Sequence, residues 1–309
     1  MLANSITRML HTLHAKLCYQ FFITPIHLPI EKEYREFASK AVEFFLANRS
    51  RSYSLKTPRH HVIHHFEQKE NALAPKILIA HGWMSRAAYM ARLIRALHKQ
   101  GFQVYAIDFP AHGEAKGMQL AWTDAVAILR QTMNNFGPFY GVIGHSFGGS
   151  MLLNTLNLAS KFPEWQLNKE PEKVILLASP TRMRIPVTKL ARRFRLSGKG
   201  FIHLKELFRQ STSTDIKHLD LRHYVKHSKT PFLCIHGEND ISIMPNESTL
   251  FCEQYPHASL VLLHGVDHVS VLIDERVEER VCQFLMPGSD ISLSQNPEIY
   301  QQEPMFVDH

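Results

Sequence analysis

A chain of 309 residues, 45% of them hydrophobic and 20% charged, can bury a full-sized core as one large domain or two smaller ones. Its four cysteines, Cys18, Cys234, Cys252 and Cys282, stand far apart without a C-x-x-C pair, which argues against a disulfide framework or a thiolate metal site and for a reducing, cytoplasmic setting. The net charge of +7 is local, because residues 181–229 hold thirteen Lys and Arg against three acids, or +10, and leave −3 for the remainder.

At the N-terminus, Leu2, Ile6, Met9, Leu13 and Leu17 recur at helical spacing with Arg8 and Lys16 between them. We read residues 1–58 as a helical segment that packs on the body of the protein, with a peripheral membrane contact left open. The uncharged run from Leu17 to Ile30 is too short to span a bilayer and contains Pro25 and Pro29. A signal peptide fits poorly, since the stretch between Arg8 and Lys16 is brief and holds His11 and His14.

Short apolar runs then recur: VIHHF near 62, KILIA at 76–80, QVYAI at 103–107, YGVI at 140–143, KVILLA at 173–178, PFLCI at 231–235 and SLVLL at 259–263. Between them lie helical patterns such as Ala87 to Lys99 and Leu120 to Asn134. The alternation predicts an α/β fold, a mostly parallel sheet with helices on both faces, with its core in residues 59–180 and 230–286. Residues 181–229 lack a strand-like run but place Leu190 and Phe194, then Leu204, Leu207 and Phe208, at helical spacing, so they read as a basic helical insertion. The Pro, Ser, Gln and acid-rich tail 287–309 is expected to be mobile. No internal repeat is visible.

In YGVIGHSFGGSML, residues 140–152, one serine stands between two glycines at the junction of a strand-like and a helix-like run. On so tight a turn, side chains at 144 and 148 would collide with neighbouring backbone, which glycine avoids. The turn lifts the Ser146 hydroxyl above the sheet, and the following helix N-terminus aims unpaired N–H groups at whatever the serine attacks.

Gly144-His145-Ser146-Phe147-Gly148 is G-x-S-x-G as it stands, and in this context the chain resembles the α/β-hydrolase superfamily over about residues 60–285. The resemblance implies a Ser-Asp-His order. HGEND after PFLCI matches the family's G-x-x-D and nominates Asp240, with Glu238 as its rival; HGVDH after SLVLL nominates His268 as base, with His264 as its rival. In many relatives a proline follows the acid one residue sooner than Pro245 does here. Asp267 is a poor acid because side chains of adjacent residues diverge. For the oxyanion the resemblance implies two backbone N–H donors, Phe147 and, through His81-Gly82-Trp83, Trp83. DFPAHGEA at 108–115 is similar to the family's D-x-x-G-H-G loop, with Ala111 in place of glycine, and reads as scaffold.

The insertion occupies the place of the family's helical cap. Within it Arg192, Arg193 and Arg195 are candidates for binding an anionic substrate group, against the alternative of a solvated face. His60, His61, His64 and His65 alternate faces on one strand without a carboxylate or cysteine at ligand spacing, so no metal is expected, and the family's hydrolases use no cofactor. No nucleic-acid-binding module is present in the sequence.

The expected function is a serine hydrolase cleaving a small carboxylic ester or thioester through an acyl-enzyme. The alternatives are an acyltransferase with the same triad and a non-catalytic binding protein on the hydrolase fold.

Overall fold

The computed structural model describes residues 2–26, 29–212, 221, 228–286 and 298–300. Strands β1 (Arg51–Leu55), β2 (His61–Phe66), β3 (Lys76–Ala80), β4 (Gln103–Asp108), β5 (Gly141–His145), β6 (Lys173–Leu177), β7 (Phe232–Gly237), β8 (Ala258–Leu263) and β9 (Glu298–Tyr300) form one sheet. Their order is β1-β2-β4-β3-β5-β6-β7-β8-β9. β2 runs antiparallel to β1 and β4, and every pairing from β4 to β9 is parallel.

Helices α1 (Leu2–Ile23), α2 (Arg35–Asn48), α3 (Ala91–Lys99), α4 (Trp122–Phe136), α5 (Phe147–Lys161), α6 (Arg184–Arg193), α7 (Gly198–Thr212), α8 (Asn246–Gln254) and α9 (Glu275–Leu285) surround it. The strands alternate between two cores, as a period of two requires when both faces are covered. Ile77, Ile79, Ile143 and Ile175 pack with Leu93, Ile94 and Leu97 of α3 and Val277, Val281 and Phe284 of α9. Leu78, Val142, Val174 and Leu176 face the other way, toward α4 and α5 and on to α7.

The structure differs from the sequence reading in three places. Residues 51–55 form an edge strand, so the N-terminal segment is not helical to its end; Arg-Ser-Tyr-Ser-Leu is too polar to stand out as a strand, and it is stabilised by its ladder to His61–His65. Secondly, Met9, Leu13 and Leu17 point outward. α1 instead packs through Ala15, Cys18, Tyr19 and Phe22, with the rings of Tyr19 and Phe22 edge-on to Phe208 of α7 at 5.1 and 5.0 Å. Small residues at 15 and 18 let the helix approach closely, and the aromatic pair closes the contact. Thirdly, β8 is followed by another strand, β9; the remainder of the tail expected to be mobile, like residues 213–220 and 222–227 of the insertion, lies outside the described residues.

Candidate active site

β5, β7 and β8 are parallel and end at the same edge of the sheet, so the loops that follow them converge. Ser146 occupies the turn between β5 and α5 with φ +50° and ψ −117°, a region side-chain-bearing residues rarely adopt. The strain is held from both sides. The Ser146 N–H donates to the Leu177 carbonyl at 2.8 Å, and its carbonyl accepts from the Ser150 N–H at 3.2 Å. A Cβ on Gly144 would lie 2.3 Å from the Gly149 Cα, and one on Gly148 would lie 2.3 Å from the Ala80 carbonyl oxygen. Glycine is therefore required on both flanks.

The Ser146 Oγ lies 2.9 Å from Nε2 of His268, and Nδ1 of His268 lies 2.6 Å from Oδ2 of Asp240. With Nδ1–H donating to the carboxylate, Nε2 is left to accept the serine proton. The Asp240 side chain is fully buried, and Oδ1 accepts from the N–H groups of Ser242 and Ile243 at 2.8 Å each. Burial alone would raise its pKa, but hydrogen bonds from His236 and His268 outweigh it and hold the carboxyl well below the usual range. It stays ionised opposite the imidazole.

The rivals are paired with each other. His264 Nδ1 contacts Glu238 Oε2 at 2.9 Å on the exposed side of the loop, away from Ser146. Asp267 has its own duties, accepting from the Tyr34 hydroxyl at 2.8 Å and from the N–H groups of Val269 and Ser270. Pro245 is the N-cap residue of α8.

Sequence reasoning missed two residues here. Buried His236 lies with Nε2 3.2 Å from Asp240 Oδ2 and 2.9 Å from the Ile243 carbonyl, while its Nδ1 meets Ser248 Oγ at 2.7 Å. His145, next to the serine, bonds through Nε2 to the His268 carbonyl. Only its adjacency to the serine could have flagged His145; His236 lies four residues before Asp240 with nothing in the sequence to single it out among twenty histidines.

The Trp83 and Phe147 backbone N–H groups have no acceptor among the described residues. Met84, the next residue, is committed: its N–H donates to His112 Nε2 at 3.1 Å. The loop comes close because position 82 is glycine, where a Cβ would lie 2.9 Å from His145 Nδ1 and 3.2 Å from Ser146 Cβ. The Trp83 ring rests edge-on against Phe147 at 5.4 Å. Asp108 braces the neighbouring loop by accepting from His64 at 3.0 Å and from the N–H groups of Ala87 and Glu114, while Ala111 keeps the left-handed φ of +61° that a glycine would take. The remaining histidines of the cluster have separate partners: His65 bonds Gln103 and stacks on Tyr105, His61 bonds the Arg59 carbonyl, and His60 meets Ser54 Oγ and accepts from the Lys116 N–H.

Ser146 opens into a cavity of about 400 Å³. Trp83, Trp122, Phe147 and Met183 line it from the body, Phe21 and Phe22 from α1, and Pro186, Lys189, Leu190 and Arg193 from α6. The α6 positions follow i, i+3, i+4, i+7, one helix face. That periodicity separates the three candidate arginines. Arg193 reaches the cavity; Arg192 lies on the outer side of α6, and Arg195 lies beyond its end with φ +48°. Nor are all the cations of the insertion available, since the partly buried Arg182 is locked in an ion pair with buried Glu247 and Lys189 Nζ donates to the Ser242 carbonyl at 2.5 Å.

The profile of the alpha/beta hydrolase family matches residues 77–282, two thirds of the chain. A pimeloyl-[acyl-carrier protein] methyl ester esterase of Nitrosospira multiformis is 22% identical, with 64% of this chain and 89% of that protein covered. Among solved structures, an esterase of Pyrococcus furiosus superposes with a TM-score of 0.57 at 18% identity, covering 85% of this chain and 96% of the other. A carboxylesterase of Bacillus subtilis gives 0.56 at 15% identity, covering 82% and 97%.

Proposed function

Since the chain belongs to the alpha/beta hydrolase family, we propose that it is a serine hydrolase that cleaves a carboxylic ester through an acyl-enzyme. The observation that carries this reading is the unbroken series Asp240, His268, Ser146, with contacts of 2.6 and 2.9 Å, opening into an apolar cavity. Ser146 Oγ attacks the ester carbonyl as His268 Nε2 takes its proton. The N–H groups of Phe147 and Trp83 receive the negative charge that develops on the carbonyl oxygen, at the N-terminus of α5. Protonated His268 then passes the proton to the departing alkoxide, and ionised Asp240 compensates the charge on the imidazolium. Water, deprotonated by the same imidazole, releases the acid and restores Ser146.

The aromatic lining favours an apolar acyl or alcohol portion, and Arg193 at the cavity favours a carboxylate or another anion at its far end. That combination suits a small acyl ester with one charged terminus. Within the insertion, α6 acts in this reading as the cap element that shapes the cavity, together with α1. Four free cysteines suit a cytoplasmic setting.

The test is labelling by a fluorophosphonate, followed by hydrolysis of p-nitrophenyl esters. Wild type should label once and turn over esters. Ser146→Ala should lose the label and about 10⁴-fold or more of kcat with its melting temperature unchanged. Labelling of the variant at another serine would overturn the assignment, and labelling without turnover of any ester would point to acyl transfer or a binding role instead.

A further inference from the structure

α1 is apolar on two opposite sides. Ala15 and Cys18 are buried against the protein, whereas Met9, Leu10, Leu13, Leu17 and Phe21 are between 41% and 64% exposed. At 100° per residue these five fall within an arc of about 120°, and at 1.5 Å per residue they run for about 18 Å. A contiguous apolar stripe of this kind marks a contact surface.

The charges around the stripe identify the contact. The sequence has no acid before Glu31, and Arg8 and Lys16 are exposed on α1 itself. Where the stripe ends, the Phe21 ring packs on Phe194 at 4.8 Å, between Arg193 and Arg195. Farther back, His11 Nδ1 meets Ser197 Oγ at 2.9 Å, close to Lys199. Arg192, Arg193, Arg195 and Lys199 are all exposed, and none has an ion-pair partner among the described residues. A second copy meeting the first through this same face would bring cations against cations. An anionic lipid surface satisfies both features, taking the apolar side chains among its acyl chains and the cations at its headgroups.

We propose that the outward face of α1, with the basic turn after α6, docks the protein onto an anionic membrane surface. The helix lies in the interface and does not cross it: no helix among the described residues is long and apolar enough to span a bilayer. Phe21 belongs both to the stripe and to the lining of the cavity, so docking sets the cavity beside the lipid. The consequence that lipid-soluble esters enter directly from the membrane rests on the function proposed above; the docking itself does not.

The test is co-sedimentation of the full chain with phosphatidylcholine vesicles and with vesicles containing a quarter phosphatidylglycerol. Partitioning should be at least tenfold stronger onto the anionic vesicles and should weaken as salt rises. Leu13→Ser with Leu17→Ser should reduce it at least tenfold while fluorophosphonate labelling and the melting temperature stay at wild-type values. Arg192→Gln and Arg195→Gln should each cost about fivefold on anionic vesicles only. Equal partitioning of the leucine variant and wild type would overturn the proposal. So would a lowered melting temperature, which would mean that the chain itself covers the stripe, or a wild-type dimer that the leucine variant abolishes. Loss of vesicle binding with labelling intact bears on docking alone, whereas loss of labelling bears on the catalytic reading.

Discussion

His145 donates from Nε2 to the carbonyl oxygen of His268 at 3.0 Å, tying the residue before the serine to the residue that carries the base. The bond leaves His145 Nδ1 buried without a partner among the described residues. Burial first, and the neighbouring His268 second, lower its pKa from 6.5 to about 3.

This arrangement predicts a direction for stability against pH. Between pH 6.5 and about 3 the unfolded chain binds a proton at this position and the folded chain does not. Stability is thus fully present above 6.5 and falls as the pH drops, by up to about 1.4 kcal/mol per unit for this group. Burial lowers the pKa of His61, His65 and His81 as well, which adds to the slope. Melting temperatures at constant ionic strength should fall from pH 7 to pH 5, and less steeply in His145→Gln. A flat wild-type profile would contradict the account.

A second expectation separates the two acids that follow β7. Asp240→Asn keeps the shape of the site but removes the acceptor that fixes the His268 tautomer, so kcat on a p-nitrophenyl ester should drop by about 10³- to 10⁴-fold. Glu238→Gln breaks only the exposed contact with His264 and should stay within about threefold of wild type. Steady-state kinetics on the two variants decides between them, and a larger loss in Glu238→Gln would move the role.

The third expectation concerns the basic insertion. Arg193 alone of Arg192, Arg193 and Arg195 lines the cavity, so Arg193→Gln should raise KM for an ester with a terminal carboxylate by about fivefold to tenfold and leave its neutral analogue nearly unchanged. Arg192→Gln and Arg195→Gln should leave both KM values alone with soluble esters. The Arg193 effect should shrink with salt, since exposed charges are screened over about 10 Å at 0.1 M. The ratio of kcat/KM for the two esters is the quantity to compare; no change in Arg193→Gln would assign the anion preference elsewhere.

The core of the fold was legible because its strands are unusually apolar. KILIA, KVILLA and SLVLL sit on a buried parallel sheet and announce themselves by composition, whereas Arg51–Leu55, half exposed at the edge, does not. The same contrast applies around the serine. Gly144 and Gly148 are forced by backbone contacts a few residues away or on the adjacent strand, so the motif carries its own geometry. Asp240 and His268 were nominated by the resemblance to the α/β-hydrolase superfamily, which left Glu238 and His264 as rivals until the folded loops paired those two with each other.

What the sequence could determine by itself are features with a local physical cause: the periodicity of buried strands, the steric need for glycine around Ser146, and the concentration of positive charge in residues 181–229. What the tertiary structure alone decided depends on which surfaces meet. His236 and His145 became part of the site through contacts made across loops, and Arg193 was separated from its two neighbours by the angle at which α6 faces the cavity. The apolar positions of α1 look like a packing face in one dimension. Three-dimensional packing reversed that assignment, because Ala15 and Cys18 allow a closer approach to α7, its Phe208 gripped by Tyr19 and Phe22, than Leu13 and Leu17 would, and the larger side chains were left facing outward.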